Sequence, residues 1–356
     1  MKKIIILFLL LATTAEVLVA QQVNKKAQKT AKTSQPETKA SLTAPEPEKS
    51  KWISCGLSEK TINTLSVSRT NKDLIFATND DEGIYRTTNG GEMWELVDKA
   101  KEVSAIISER MRGMVFYAIT PRSILISEDE GKTFRELFIA EGRVDFKITC
   151  MSFDESPTTT AKAMLFGTTK GVYKSLDRGK TFLTAGLEDT HINSLAVSVR
   201  DGEKPVIYAA TKNGVYISQN YGLSWRALSE GIPQTNILQI VTDFKKPENV
   251  YAVTEEYGIY RSTNNGANWV GTADKIPQLN GFRLTSTINS LTNRSVIYMT
   301  NYSGETYLTE DDGVSWKKVG EKLDIKDAVG LCISMANVSP TTLFVGTLKG
   351  VFKYNQ

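Results

Sequence analysis

The octapeptide Ser175-Leu176-Asp177-Arg178-Gly179-Lys180-Thr181-Phe182 is one of six of its kind in the chain. Its counterparts run from Thr87 to Trp94, Ser127 to Phe134, Ser218 to Trp225, Ser262 to Trp269 and Thr309 to Trp316. All share the pattern Ser/Thr-x-Asp/Asn-x-Gly-x-x-aromatic, and the closing aromatics stand 40, 48, 43, 44 and 47 residues apart. A period in the forties, with β-branched and aromatic runs between the repeats, is the mark of propeller blades of four strands each.

Every position in the pattern has a physical task. Asn89, Asp129, Asp177, Asn220, Asn264 and Asp311 supply side-chain oxygens that accept from backbone N–H groups of their own turn. Gly91, Gly131, Gly179, Gly222, Gly266 and Gly313 take a backbone angle that a Cβ would oppose. Trp94, Phe134, Phe182, Trp225, Trp269 and Trp316 begin the next strand and pack between blades. The motif reads as a structural hairpin and not as a catalytic set.

The flanking strands repeat as well. Ile62, Ile148, Ile192 and Ile237 open inner strands, and Leu74, Met164, Val206, Val250, Val296 and Leu343 open second strands. Third strands begin at Gly83, Gly171, Gly214, Gly258 and Gly350. Residues 329–355 hold three strands of a last blade, after which the chain stops. The missing fourth is at the other end, where Lys51–Leu57 matches Thr181–Leu187. The expected fold is all-β: a seven-bladed β-propeller over 51–356, of four-stranded antiparallel blades, closed by the N-terminal strand joining the last blade. Closure removes the open sheet edges.

The first fifty residues are of another kind. Met1-Lys2-Lys3, an apolar run from Ile4 to Ala12 and the segment Leu18-Val19-Ala20 form a secretory signal peptide over 1–20, with cleavage after Ala20. The run is too short to cross a bilayer. Residues 21–50, rich in Lys, Thr and Pro, lack the large apolar groups needed to offset ordering entropy and are expected to be a disordered linker. The mature chain is therefore expected in a periplasmic-type compartment or outside the cell, without a transmembrane segment.

Composition closes off several chemistries. The chain has 356 residues and a net charge of +3. Setting aside the eight basic and four acidic residues of 1–50 leaves 35 basic and 36 acidic ones. A near-neutral body does not supply the basic face that nucleic acid requires. One histidine argues against a multi-His metal site, and no Cys-x-x-Cys-His occurs for haem attachment. Cys55, Cys150 and Cys332 fall on separate strands; Cys55 and Cys332 are expected about 14 Å apart at ~4.8 Å per strand, too far for a disulfide.

The six repeats resemble the Asp-box (BNR) family, known in sialidases, sortilin-type receptors, some endoglucanases and photosystem assembly factors. The family implies a propeller, with functions that differ from member to member. A sialidase would need an arginine cluster, a tyrosine nucleophile with a glutamate, and an acidic proton donor. Arg122, Arg143 and Arg283 and the pair Glu256-Tyr257 are the nearest approach to that set. The family's Arg-Ile-Pro is missing, its place taken by Gly231-Ile232-Pro233 and Lys275-Ile276-Pro277. No Arg-rich patch of the assembly-factor kind stands out. In size and layout the chain is similar to the haem-free β subunits of hydrazine synthases of anaerobic ammonium-oxidising bacteria. That resemblance implies a non-catalytic subunit, within the anammoxosome, docked on multihaem c-type α and γ subunits. There it would shape or gate transfer of an intermediate as NO and ammonium become hydrazine. Haem c would then belong to the partners, with no cofactor or metal in this chain. The loops singled out for partner contact are Lys245, Lys246 and Glu248, and Glu255, Glu256 and Tyr257.

Deleting residues 51–57 is expected to destabilise the whole ring, because the last three strands lose their partner. An unchanged melting temperature for the truncated chain would refute the strand exchange.

Overall fold

The computed structural model describes residues 52–108, 113–140, 145–154, 163–200, 203–243, 245–272, 282–289, 292–301, 303–321, 323, 332–336 and 342–355. Arg143 and residues 1–51 lie outside them, so the leader and linker are not part of this description.

Seven four-stranded antiparallel sheets follow one another along the chain. Blade 4 is representative: its strands are Ile192–Ser198, Val206–Thr211, Gly214–Ser218 and Arg226–Leu228, paired in that order. The second strands are buried over most of their length, some from end to end, as in Phe116–Ile119 and Val250–Thr254. The short fourth strands are largely exposed, as in Leu183–Thr184 and Lys317–Lys318. Blade 7 orders as Cys332–Ala336, Thr342–Thr347, Gly350–Asn355 and Ile53–Ser54. Ile53 pairs with Lys353 and Ser54 with Phe352, so the first and last strands close the ring as the sequence alignment implied. Cys55 extends the ladder by donating its N–H to the Val351 carbonyl at 2.9 Å.

The apolar core is divided among the joints between blades. Among the described residues, seven buried clusters each draw on two adjacent blades. Tyr251, Val253 and Ile259 of blade 5, for example, meet Leu284, Ile297 and Met299 of blade 6. Cys55, Phe344 and Val351 of blade 7 meet Ile62, Leu65 and Ile75 of blade 1. Side chains of the inner strands bridge neighbours around the channel. Thr149 donates to the Ile192 carbonyl (2.5 Å) and Asn193 to the Ile237 carbonyl (2.8 Å). The Gln239 amide exchanges two bonds with the backbone of Leu284.

A further joint was not read from the sequence. Arg86, Lys174 and Arg261, on the third strands of blades 1, 3 and 5, reach the next blade. They donate to the carbonyls of Glu130 (2.8 Å), Tyr221 (2.8 Å) and Asp312 (2.9 Å). Each acceptor directly precedes the motif glycine and has a left-handed φ, 62°, 58° and 59°. The equivalent third-strand positions in blades 2, 4 and 6 are Ile126, Ile217 and Leu308, and in blade 7 Lys353. Cationic and aliphatic strands thus alternate around the ring. Lys174 is 9% exposed, so its stem is packed and its ammonium spans the joint.

Lys174→Met is expected to cost about 1–3 kcal/mol, since it leaves a carbonyl at the joint without its donor. Ile217→Met in the next blade keeps its volume and should cost less than about 1.5 kcal/mol. Chemical denaturation of both variants checks the contrast; equal losses would show that the cation contributes nothing specific.

Candidate functional site

The six repeat turns share one set of hydrogen bonds. At Asp177 the Ser175 hydroxyl donates to Oδ1 (2.8 Å), Gly179 N–H donates to that hydroxyl (2.7 Å), and Thr181 N–H donates to Oδ1 (2.8 Å). The same bonds recur from Thr87 with Asn89 to Thr309 with Asp311. Where the acid is Asp, the side chain four residues on donates to Oδ2, as Thr133, Thr181 and Ser315 do. At Asn220 and Asn264 the direction reverses: their amides donate to Ser224 and Asn268.

The rest of each turn belongs to the preceding blade. A Cβ on Gly131 would strike the Phe76 ring and one on Gly266 would strike Leu228, each from the blade before. The Trp94 indole donates to the Cys55 carbonyl and the Trp225 indole to the Ala185 carbonyl, both at 2.7 Å. Phe134 meets Phe76 edge-on, and Phe182 packs at 4.5 Å on Phe138. Trp269 is buried at the joint of blades 4 and 5, and Trp316 packs at that of 5 and 6.

These bonds hold the turn carboxyls down. Backbone and side-chain donors of Thr133 lower Asp129 from 3.8 to about 2. The Thr181 hydroxyl and N–H lower Asp177 equally. At Asp311 burial opposes the shift, and the bonds from Ser315 and Thr309 outweigh it. Such groups are fixed anions and poor proton donors.

The turns between second and third strands lie at the opposite ends of the strands. Four share another arrangement that the sequence reading passed over: the hydroxyls of Thr168, Thr211, Thr254 and Thr347 donate to the carbonyls of Gly171, Gly214, Gly258 and Gly350. This face is thick with polar pairs. Lys60 pairs with Glu82, Lys170 with Asp189 at 3.5 Å and Lys349 with Glu59 at 2.9 Å. Asp80 accepts from Asn63 at 3.0 Å. Burial, then the charges of Glu102 and Asp81, push Asp80 up.

The singled-out residues do not converge. Lys245, Lys246 and Glu248 follow the first strand of blade 5, while Glu255, Glu256 and Tyr257 follow its second, Val250–Thr254. The two loops therefore sit on opposite faces, about 17 Å apart at ~3.4 Å per residue. The first is bound into the fold. Lys246 pairs with Asp312 of blade 6 at 2.6 Å, and Glu248 with Arg200 of blade 4 at 3.4 Å. In the second, Glu255 accepts from Asn236, and Tyr257 is 51% exposed. Arg122 sits in a turn of blade 2, whereas Arg283, expected in a loop, belongs to the inner strand Phe282–Asn289 of blade 6. Burial and Lys212 lower His191. Burial pushes the thiol of Cys55 up to about 12 and that of Cys150 up to about 11, so both are protonated and unreactive. Among the described residues no group of three or more His, Cys, Asp or Glu side chains is placed to hold a metal, and no helix is long and apolar enough to cross a membrane.

The channel opens toward the first-to-second-strand turns as a cavity of about 990 Å3. Val197, Val241 and Leu284 form part of its wall, and Arg200, Asp243 and Glu248 lie where it meets the turns. Unlike the repeat turns, this region is built from residues that differ blade by blade.

A family model described as sortilin, neurotensin receptor 3, matches residues 213–329, from blade 4 into the connection before blade 7. No curated protein matches the chain. Solved propellers do. YCF48 bound to D1 peptide is similar with a TM-score of 0.62 and 13% identity, over 87% of this chain and 96% of that one. YCF48 from Cyanidioschyzon merolae is similar with 0.56 and 14%, over 86% and 98%. A GH74 xyloglucanase from Xanthomonas campestris gives 0.63 and 16%, over 85% of this chain and 53% of its own. At these identities the likeness is one of fold.

The depressed turn carboxyls make a pH prediction. A carboxyl lowered in the folded state adds stability that is full above its unfolded value near 3.8 and is lost as pH falls toward 2. The triple variant Asp129→Asn, Asp177→Asn, Asp311→Asn keeps the turn oxygens and loses the titration. Its melting temperature should fall less than that of the wild type between pH 4 and 2; parallel curves would contradict the assignment.

Proposed function

We propose that the chain is an exported, non-catalytic β-propeller that acts by docking on partner proteins. The carrying observation is how its reactive-looking groups are used. Three motif aspartates are consumed by their turns, two thiols are held neutral by burial, and Arg283, one of the arginines that a sialidase would gather, belongs to an inner strand and not to a loop. What differs from blade to blade is the surface at the ring's two ends and the channel between them. The similar fold of YCF48, solved with a D1 peptide, agrees with a propeller that meets other chains.

The finer reading, a hydrazine synthase β subunit seated on multihaem partners, rests on size, layout and the missing Cys-x-x-Cys-His. No residue of the described ring adds to it. It requires that the native complex carry c-type haem while the isolated chain shows no Soret band. A second reading, glycoside hydrolysis, has one specific observation in its favour. Asp80, raised and beside Asp81 and Glu102, is the carboxyl best suited to donate a proton.

The test begins with the protein at native level in the source's exported fraction. It should elute as part of an assembly well above its own 39.4 kDa, with a stoichiometric partner identified by mass spectrometry. The purified chain should be inert toward sialosides and xyloglucan. Elution as a lone chain, together with turnover that Asp80→Asn abolishes, would replace docking with hydrolysis.

A further inference from the structure

We propose that the channel mouth between blades 4 and 6 receives a lysine or arginine side chain from an extended segment of a partner, with Asp243 as the acceptor of its cation. The proposal rests on the docking reading above and adds the site and the partner's chemistry.

Asp243 is the last residue before the long turn of blade 5, lines the cavity, and is only 3% exposed. Its Oδ1 is fully used: Lys245 N–H (2.7 Å), Lys246 N–H (3.0 Å) and the Ser295 hydroxyl of blade 6 all donate to it. Among the described residues its Oδ2 has no partner. Ser286, on the same cavity wall, likewise has a buried hydroxyl without a partner. A buried carboxylate oxygen left unpaired is costly, and a charge-assisted bond from an ammonium or guanidinium is among the strongest remedies.

Two nearby cations are already taken. Lys246 is held by Asp312, while Arg200 is shared between Glu248 at 3.4 Å and Glu203 at 4.0 Å. Arg69 of blade 1 and Lys245 also line the cavity. Of the buried groups left without a partner there, Ser286, Asn249 and Tyr251 are neutral, and Asp243 is the carboxyl. Val197, Val241 and Leu284 offer an apolar wall for the aliphatic stem of a long basic side chain.

The surface beyond the mouth suits an extended segment. The repeat turns of blades 4 and 5, Ser218–Trp225 and Ser262–Trp269, contain no charged residue. On that same face Leu223 is 80% and Val314 60% exposed. A segment with apolar residues on either side of one Lys or Arg matches this layout.

The experiment uses fluorescein-labelled peptides of sequence Ser-Leu-Gly-X-Gly-Leu-Ser, with X as Lys, Arg, norleucine or Glu, titrated with the purified full chain at low salt. The Lys and Arg peptides should bind at least tenfold more tightly than the other two. Asp243→Asn keeps the turn's Oδ1 acceptor and should erase that preference. Val241→Trp, which fills the mouth without touching the turn, should abolish binding. Equal binding of all four peptides, preference for Glu, absence of binding, or an unaltered preference in Asp243→Asn would each overturn the proposal. Spermidine binding as tightly as the Lys peptide would overturn the partner segment as the source of the cation. Assembly of the native complex is measured separately, so a complex that forms with Asp243→Asn as with wild type leaves docking intact and removes this site.

Discussion

Every blade depends on its neighbours for burial. A single four-stranded sheet has two apolar faces and no helix to cover them, so each face is buried against the next blade. The seven apolar clusters accordingly sit at the joints, among them the joint closed by Ile53 and Ser54. Among the described residues the buried apolar clusters lie at the joints, so closing the ring is a condition for burying the last of them. The channel is left as the space that seven inner strands cannot fill.

The repeated turn serves that constraint on two scales. Within the turn, an Asp or Asn oxygen gathers N–H groups that the tight chain reversal leaves over. Across the joint, the glycine allows close approach of the preceding blade and the aromatic ring covers it. A recurring pattern of Asp or Asn beside hydroxyls resembles catalytic machinery, yet its chemistry is spent on geometry. Specific behaviour has to come from places where the repeat is broken, and the turn Asp243–Asn249 with the cavity beside it is such a place.

Blade count, strand order, the repeat turns and the closing strand were legible because each is written several times at one spacing, or is the remainder when the copies are counted. The joint cations were present in Arg86, Lys174 and Arg261, but their acceptors lie 44, 47 and 51 residues away and are backbone carbonyls, which carry no side-chain signature. The blade 5 loops looked like free surface because Lys245, Lys246, Glu248, Glu255 and Glu256 are charged. Only three dimensions show Lys246 and Glu248 tied to blades 6 and 4, and the loops parted by the length of a strand. The turn that Asp243 opens stands out in the sequence by its length, but an aspartate there is ordinary, and neither its bond from Ser295 of the next blade nor its unmet oxygen has a sequence signature.

The alternation of cationic and aliphatic third strands meets a simple matter of parity. A pattern of period two cannot close on an odd number, so somewhere two strands of one kind must be adjacent. Reading Arg86, Ile126, Lys174, Ile217, Arg261, Leu308 and Lys353 around the circle, the repetition falls between Lys353 and Arg86. The ring is thus three couples and a remainder. A couple could be lost without changing the number of irregular joints, and loss of the remainder alone would leave a perfectly alternating ring of six. That remainder is the blade assembled from the first and last strands, so the seam closed only by strand pairing lies in the blade that breaks the pattern.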